Sequence, residues 1–494
     1  MTVNILNNLL NIATKYPNAI AVESELEKIS YQDLVCKIKT YAHQFQLIKN
    51  KPKILIALNR CSDAYAAMFA SLMINGLYCP INLELPESRL RKIVTSFKPD
   101  IIISNFNTFE VLTHDFKSSH LLNPLNLNEN LISNLEVDFA QSEQAYVIYT
   151  SGTTGEPKGV KISYAALANY ISWMLKTFIN GPNERWGQYA NLGFDASVTD
   201  IYGALCSGGT LVPITSSIHR LMPAKAIEDF QLTIWNSVPS VVNLMKGYNA
   251  SLSSLKFINL IGEPLLSESV KFLFSKNSAL SLQNSYGPTE ATVACTYIIL
   301  NKYNYKQYIY KSTMALGKPT YNMNIKLYGG SDLNEGEIII SGLQLACEYV
   351  GDKTTTANHF KTIDGVRYYF TGDWAVIHNN QMFFSHRIDE QIKINGYRLE
   401  LTSVTCALMD SNLISDAATI IYNDKIHCFV TTKNINLDVE NRLLSYLKGK
   451  IEPYAIPSYI NVINEIPKNH NGKVNKQALE VFINKQDDYE FKAS

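Results

Sequence analysis

The segment YTSGTTGEPKGV, residues 149–160, decides how the rest of the chain is read. It follows the apolar run AYVIYTSG (145–152), which reads as a buried strand, and precedes SYAALANYISWML (163–175), whose apolar residues recur at helical spacing. Gly152, Gly155 and Gly159 allow close backbone approach, Thr150, Ser151, Thr153 and Thr154 bring hydroxyls, and Lys158 brings one positive charge. Main-chain N–H groups and hydroxyls can ring phosphate oxygens, so a strand, loop and helix of this composition is a candidate phosphate cradle. A plain flexible turn is the bland alternative, and the density of Gly, Ser and Thr around a single lysine speaks against it. The loop of the common nucleoside triphosphatases needs Gly-Lys followed by Ser or Thr. The Gly-Lys pairs here, at 317, 449 and 472, are followed by Pro319, Ile451 and Val474. No GxGxxG occurs, so a dinucleotide fold has no support.

Outward from that segment, short apolar runs alternate with helix-like stretches. KILIAL (53–58), SDAYAAMFASLMIN (62–75) and PDIIIS (99–104) read as strand, helix, strand, the pattern of parallel sheets covered by helices. LKFINLIGEPL (255–265), GEIIISG (336–342) and RYYFTGDW (367–374) read as buried strands ending in glycine-marked turns. Composition shifts after about residue 388, where DEQIKINGYRLE is followed by ATIIY, HCFVTT and the helical DVENRLLSYLKGK. A smaller α+β domain is therefore expected over 389–494, after a larger α/β domain over 1–388.

The 494 residues set a prior of about three packed units. With 44 basic and 44 acidic side chains and no Lys/Arg run, the chain lacks the basic stripe of a nucleic-acid binder. The amino terminus, MTVNILNNLLNIATKYPNAIAV, lacks the apolar core of a signal peptide, and nowhere do ~18 apolar residues run together. A soluble, cytoplasmic protein without membrane or nucleic-acid partners is expected. The eight cysteines (36, 61, 79, 206, 295, 347, 406 and 428) are scattered singly without metal-ligand spacing, and read as small buried hydrophobes. Of nine arginines, Arg367, Arg387 and Arg398 fall in one short stretch, a hint of anion handling.

Taken with ISYQDL (29–34), the stretch from Gly76 to Arg91, FDAS (194–197), NSYGPTEAT (284–292), GEIIISG, YFTGDW (369–374), HRIDEQIKINGYRLE (386–400) and NGKVNK (471–476), the loop makes the chain resemble the adenylate-forming superfamily nearly end to end. More narrowly it is similar to the amino-acid adenylation domains of nonribosomal peptide synthetases and to D-alanine:carrier protein ligases. The resemblance implies a large domain of helix-covered sheets with a small β-barrel-like part, followed by a mobile C-terminal lid. It implies attack of an amino-acid carboxylate on the α-phosphorus of ATP, release of pyrophosphate, and transfer of the acyl group to a phosphopantetheine thiol. The carboxylate is already ionised at neutral pH, so the first step needs alignment and charge neutralisation in place of a general base.

By this resemblance, Thr150, Ser151, Gly152, Thr153, Thr154 and Lys158 would hold the β,γ-phosphates, Glu290 would bind Mg²⁺, and Thr289 would touch the α-phosphate. Gly262, Glu263, Pro264, Asn284, Ser285, Tyr286 and Gly287 would line the adenine slot, with Tyr286 stacked on the base. Asp373 would accept both ribose hydroxyls beside Arg387. Lys473 would reach the α-phosphate and the attacking carboxylate, stabilising the charge that develops there. Asp195 would pair with the substrate ammonium, and Ala196, Thr199, Asn236, Asn259, Ile261, Ser285, Val293 and Ala294 would complete the amino-acid pocket. The lid would pivot near Asp389 and swing Lys393 and Gly396 toward the site for thiol transfer.

Taken singly, Asp195 reads as a helix cap, Asp373 as a turn residue, Glu290 as a helix N-terminal acid, Arg387 as a surface ion pair and Lys473 as a solvated lysine. WNSVPS (235–240), GEPLL (262–266) and YGPTEATVA (286–294) look most like the D-alanine ligases, whereas Ile261 falls where those carry a cysteine beside the D-alanyl methyl. His386 in place of glycine, Glu348 in place of glycine and Trp374 after TGD are further departures. With no carrier motif visible, the carrier protein is expected to be a separate chain. The competing enzyme reading is an acyl- or aryl-CoA synthetase of the same fold; the competing non-enzyme reading is a nucleotide-binding scaffold with a decayed site.

Overall fold

The computed structural model describes residues 4–105, 119–127, 143–150, 156–178, 181–249, 251–388, 391–394, 397–423, 425–432, 438–467 and 474–493. Ser151, Gly152, Thr153, Thr154, Asp389, Gly396 and Lys473 lie outside the described residues, as does the side chain of Lys393. The chain divides into two compact units, the larger built from Met1–Leu83, Ile93–Thr150 and Lys158–Asp389, the smaller built on Glu390–Ser494. The fold is α/β. Among the described residues no helix is long and apolar enough to cross a membrane.

The larger unit holds two mixed sheets. In a seven-stranded sheet, Leu77–Pro80, Lys53–Ala57, Ile101–Ser104 and His120–Leu122 lie parallel, as the alternation of apolar runs and helices requires. A nine-stranded sheet has a parallel centre of Ser281–Tyr286, Phe257–Ile261, Ile234–Ser237, Arg185–Gln188 and Thr210–Pro213 in that order. Every residue of Phe257–Ile261 and Ile234–Ser237 is buried, which is why these strands read as continuous apolar runs with a few polar interruptions. The barrel-like part takes the form of a five-stranded antiparallel sheet built on Met323–Tyr328, Glu335–Gly342, Val366–His378, Phe360–Ile363 and Gln381–Arg387.

Three local expectations need correction. The 149–160 segment does not lead from strand to helix. Lys158–Ser163 forms a second strand, antiparallel to Gln144–Thr150 with Thr150 opposite Lys158, and the helix Tyr164–Thr177 begins only after it, with Ser163 accepting from Ala166 N at 3.1 Å. The cause is visible in KGVKIS, where Val160 and Ile162 are buried at strand period while Lys161 is half-buried. RYYFTGDW does not end in a turn, because Val366–His378 runs on through Gly372 with a break of register. The cysteines divide: Cys79, Cys206, Cys295 and Cys428 are buried, but Cys36, Cys347 and Cys406 are exposed. Cys36 occupies the outward side of the helix Tyr31–Ile48, whose buried residues are Tyr31, Leu34, Ile38, Thr40, Tyr41, Ala42 and Phe45.

The smaller unit pairs Asp416–Tyr422 with Lys425–Thr431 and the latter with Tyr459–Val462, packing Leu399, Val404, Leu408, Ile426, Leu443 and Leu447 between that sheet and the helices Leu401–Met409 and Val439–Lys448.

One packing contact sets the position of Asp195 and Thr199. The helix Ala196–Ser207 lies on the nine-stranded sheet at Gly203, where a Cβ would overlap the ring of the fully buried Trp186. In an open helix alanine would gain about 1 kcal/mol over glycine; here the overlap outweighs it. Gly203→Val is expected to lower stability by about 2 kcal/mol, read as a fall in the urea midpoint; an unchanged midpoint would mean that the helix has slack against Trp186.

Candidate active site

Ligands on open α/β sheets bind beyond the carboxyl ends of the parallel strands. In the nine-stranded sheet those ends carry Gln188, Asn236, Asn259, Ile261, Asn284, Ser285 and Tyr286. Register puts Asn236 opposite Asn259, Asn259 opposite Gln283, and Ile261 opposite Ser285, so Asn236, Asn259, Ile261 and Ser285 share one face. Thr199 of the Ala196–Ser207 helix is buried, and its hydroxyl lies 2.7 Å from that of Tyr170. Val293 and Ala294 follow the turn Thr289–Ala291. Thr292 and Val293 adopt φ of 55° and 69°, a left-handed conformation that β-branched residues avoid. The Thr292 hydroxyl, which donates to Gln344 O at 2.6 Å, helps to fix that turn.

Asp195 stands at the N-cap of its helix, yet its side chain makes no cap hydrogen bond, against the expectation for a purely local role. Burial raises the phenols of Tyr146 and Tyr170, and the Asp195 charge adds to the rise in both, which places that charge within electrostatic reach of the two rings. Ala196 opens the helix and is half-buried.

A second cluster joins the sheets. Tyr286 donates its hydroxyl to Asp373 Oδ2 at 2.6 Å, and Arg387 Nη1 lies 2.6 Å from Asp373 Oδ1 while Nη2 donates to Thr371 O at 3.0 Å. Burial, then the Asp373 charge, push the Tyr286 phenol well up. Arg387 is therefore a half-buried partner of the buried Asp373 and no surface ion pair. Tyr286 is 8% exposed, which leaves little of its ring uncovered. Glu290, fully buried, accepts from Tyr349 Oη at 2.6 Å; Thr289 precedes it in the same turn. Gly287 follows the Ser281–Tyr286 strand, where a Cβ would come within 2.6 Å of Val293 O. Asn284 is turned away from Ser285 and donates to Ala315 O at 2.8 Å. Glu263, between Gly262 and the exposed Pro264, accepts from Ser240 N at 2.8 Å and Ser240 Oγ at 3.1 Å, which ties down the turn after Ile234–Ser237. Lys158 heads its strand, near Asp352, whose carboxyl is lowered chiefly by Thr355 and in smaller part by Lys158.

The departures from the motif pattern have partners. Trp374 and His386 sit opposite each other and stack at 6.0 Å, directly beside Asp373 and Arg387. Glu348 lies opposite Lys161, with their charged atoms 3.5 Å apart. Sequence reasoning missed Asp200, which is fully buried and bonded to Asn236. Its signal was a charged residue inside the otherwise uncharged run SVTDIYGALC. It also missed Tyr349 as the partner of Glu290. Among the described residues no group of three His, Cys, Asp or Glu side chains is arranged to hold a metal.

The profile of the AMP-binding enzymes matches residues 10–350, and that of the AMP-binding enzyme C-terminal domain matches 404–473. A D-alanine–D-alanyl carrier protein ligase of Staphylococcus aureus is 31% identical over 97% of this chain and 99% of its own length. Among solved structures, the Vibrio cholerae adenylation domain AlmE in complex with glycyl-adenosine-5'-phosphate has a TM-score of 0.84 at 23% identity, covering 98% of both chains. NpsA-ThdA, an artificially fused adenylation and carrier-protein di-domain from Klebsiella oxytoca, has a TM-score of 0.80 at 19% identity, covering 93% of this chain and 94% of its own.

Removing Asp373 would take the carboxylate from a half-buried guanidinium and from a buried phenol together. Asp373→Ala is expected to destabilise the larger unit by about 3 kcal/mol, and Tyr286→Phe by about 1 kcal/mol, in urea unfolding. Equal small losses would show that the carboxylate carries no structural load.

Proposed function

The chain belongs to the AMP-binding enzyme family, and on that footing we propose that it activates a small amino acid as its adenylate and passes it to the phosphopantetheine thiol of a separate carrier protein. The observation that carries the reaction is the end-to-end likeness to a D-alanine–D-alanyl carrier protein ligase. What supports the small substrate is that same likeness together with a closely packed site: Thr199, Asn236, Asn259, Ile261, Ser285, Val293 and Ala294 are each no more than 5% exposed. D-alanine is the first candidate. Ile261, bulkier than the cysteine of the D-alanine ligases, favours glycine as the second.

In the first step the substrate carboxylate oxygen attacks the α-phosphorus of ATP; that P–O bond forms as the bond to pyrophosphate breaks. In the second the carrier thiolate attacks the acyl carbon and AMP leaves. Asp195 would hold the ammonium, Asp373 with Arg387 the ribose, and the 150–158 segment the outer phosphates. A carboxylate has about four lone-pair sites, so Asp373 can take ribose hydroxyls while keeping Tyr286 and Arg387. Glu290 offers only oxygen ligands, which suits magnesium, and the ion would neutralise phosphate charge when bound, with Thr289 beside it for the α-phosphate. We assign this work to a core over 1–388 and to a lid over 389–494 that brings Lys473, the last residue of the matched C-terminal profile.

Pyrophosphate exchange across glycine, D-alanine, L-alanine, β-alanine, serine and aryl acids tests the reading, with a small amino acid expected to lead. Aryl acids alone would favour a CoA synthetase, and silence toward all of them despite ATP binding would favour a scaffold. Asp195→Ala should raise the amino-acid KM at least tenfold, on the order of one lost charged hydrogen bond, with little change for ATP. Lys473→Ala should cut exchange by about two orders of magnitude or more while sparing transfer from supplied adenylate; near-normal exchange would remove that lysine from the first step.

A further inference from the structure

The sheet face under the Ala196–Ser207 helix changes character along its strands. Trp186, Ile234 and Phe257 occupy its early positions, while Asn236, Asn259, Gln283 and Ser285 occupy its carboxyl end. Buried amides are costly unless hydrogen-bonded. Three of these four residues bond to one another: Gln283 Nε2 donates to Asn259 Oδ1 at 3.1 Å and to Ser285 Oγ at 2.8 Å, and Ser285 Oγ donates to Asn259 Oδ1 at 2.8 Å, with Gln283 Oε1 left without a partner in the protein. Asn236 stands outside that triad. Its Nδ2 donates to Asp200 Oδ1 at 2.5 Å, and its Oδ1 has no hydrogen-bond partner in the protein.

We propose that Asp200 is a positioning residue for the amino-acid site. By engaging Nδ2 it fixes the Asn236 amide in one orientation, with the carbonyl oxygen left as an acceptor for the substrate. The inference rests on the reading of Asn236 as a pocket residue. An amide is nearly symmetric in shape, so packing alone does not choose between its two orientations; a neighbour that accepts on one side does. Asp200 can play that part without competing with Asp195 for an ammonium group. Desolvation raises its carboxyl well above the usual range against the opposing influence of Asn236, Arg60 and the Tyr189 backbone, whereas Asp195 is only half-buried. Two acids one helical turn and a half apart are thus divided by their surroundings, Asp195 half-buried at the helix start and Asp200 fully buried against Asn236.

A double-mutant cycle in the pyrophosphate-exchange assay tests this, using the amino acid that the unsubstituted enzyme prefers. Asp200→Asn keeps shape and volume but can donate as well as accept, which frees the Asn236 amide to turn. It is expected to raise the amino-acid KM about tenfold, with kcat and the ATP KM within about twofold and the melting temperature nearly unchanged. In an Asn236→Ser background the same Asp200→Asn change is expected to have less than about a twofold effect, because the residue it acts through is gone. An equal factor in both backgrounds, an equal rise in the ATP KM, or no change in the amino-acid KM would overturn the proposal. Should Asp200→Asn fail to fold, Asp200→Ser read against Asn236→Ser in the same cycle decides the question. Silence of the unsubstituted enzyme toward every amino acid would overturn the underlying reading, and this inference with it.

Discussion

One carboxylate holds the larger unit's candidate site together. Asp373 belongs to the antiparallel sheet, yet it accepts from Tyr286 at the end of the nine-stranded sheet as well as from Arg387 on its neighbouring strand. Both bonds are short, and both partners are nearly buried. Charge-assisted bonds in such a setting are strong when made and costly when half-broken, so the two sheets are held together at the carboxyl end of the Ser281–Tyr286 strand. The Trp374–His386 stack continues the same strand pair by one residue.

The remainder of the site depends on where the sheet's polar residues stand. Parallel strands buried on both faces are apolar along their length, and this chain breaks that rule at one end of four neighbouring strands. Each break has a hydrogen-bonded or electrostatic reason: an amide triad, a helix acid, a phenol on a carboxylate. Gly203 lets the helix that supplies Asp195, Thr199 and Asp200 approach closely enough to meet those strand ends.

Much of this was legible in sequence because the site residues lie in short motifs with their own chemistry. YGPTEAT, TGDW and FDAS each name a place, and the strands that carry them are marked by runs such as FINLI and EIIIS. What escaped had at most a weak local mark. KGVKIS is too short and too polar to announce a strand before it is seen paired with Gln144–Thr150. Asp200 reads as an ordinary helix acid until the sheet beneath it is in view, since burial is a tertiary property. The cysteines misled for a related reason. An apolar neighbourhood in sequence does not fix which side of a helix a residue takes, as Cys36 illustrates.

Those outward-facing thiols have a practical consequence. Cys36 and Cys347 lie on the larger unit and Cys406 on the smaller, each exposed, whereas four of the other cysteines are closed off from solvent. The natural chain thus already carries attachment points on both bodies. With one of the two on the larger unit replaced, a donor and an acceptor dye could be coupled without adding any new residue, and the separation of the two bodies followed in real time as nucleotide, amino acid and carrier are added in turn.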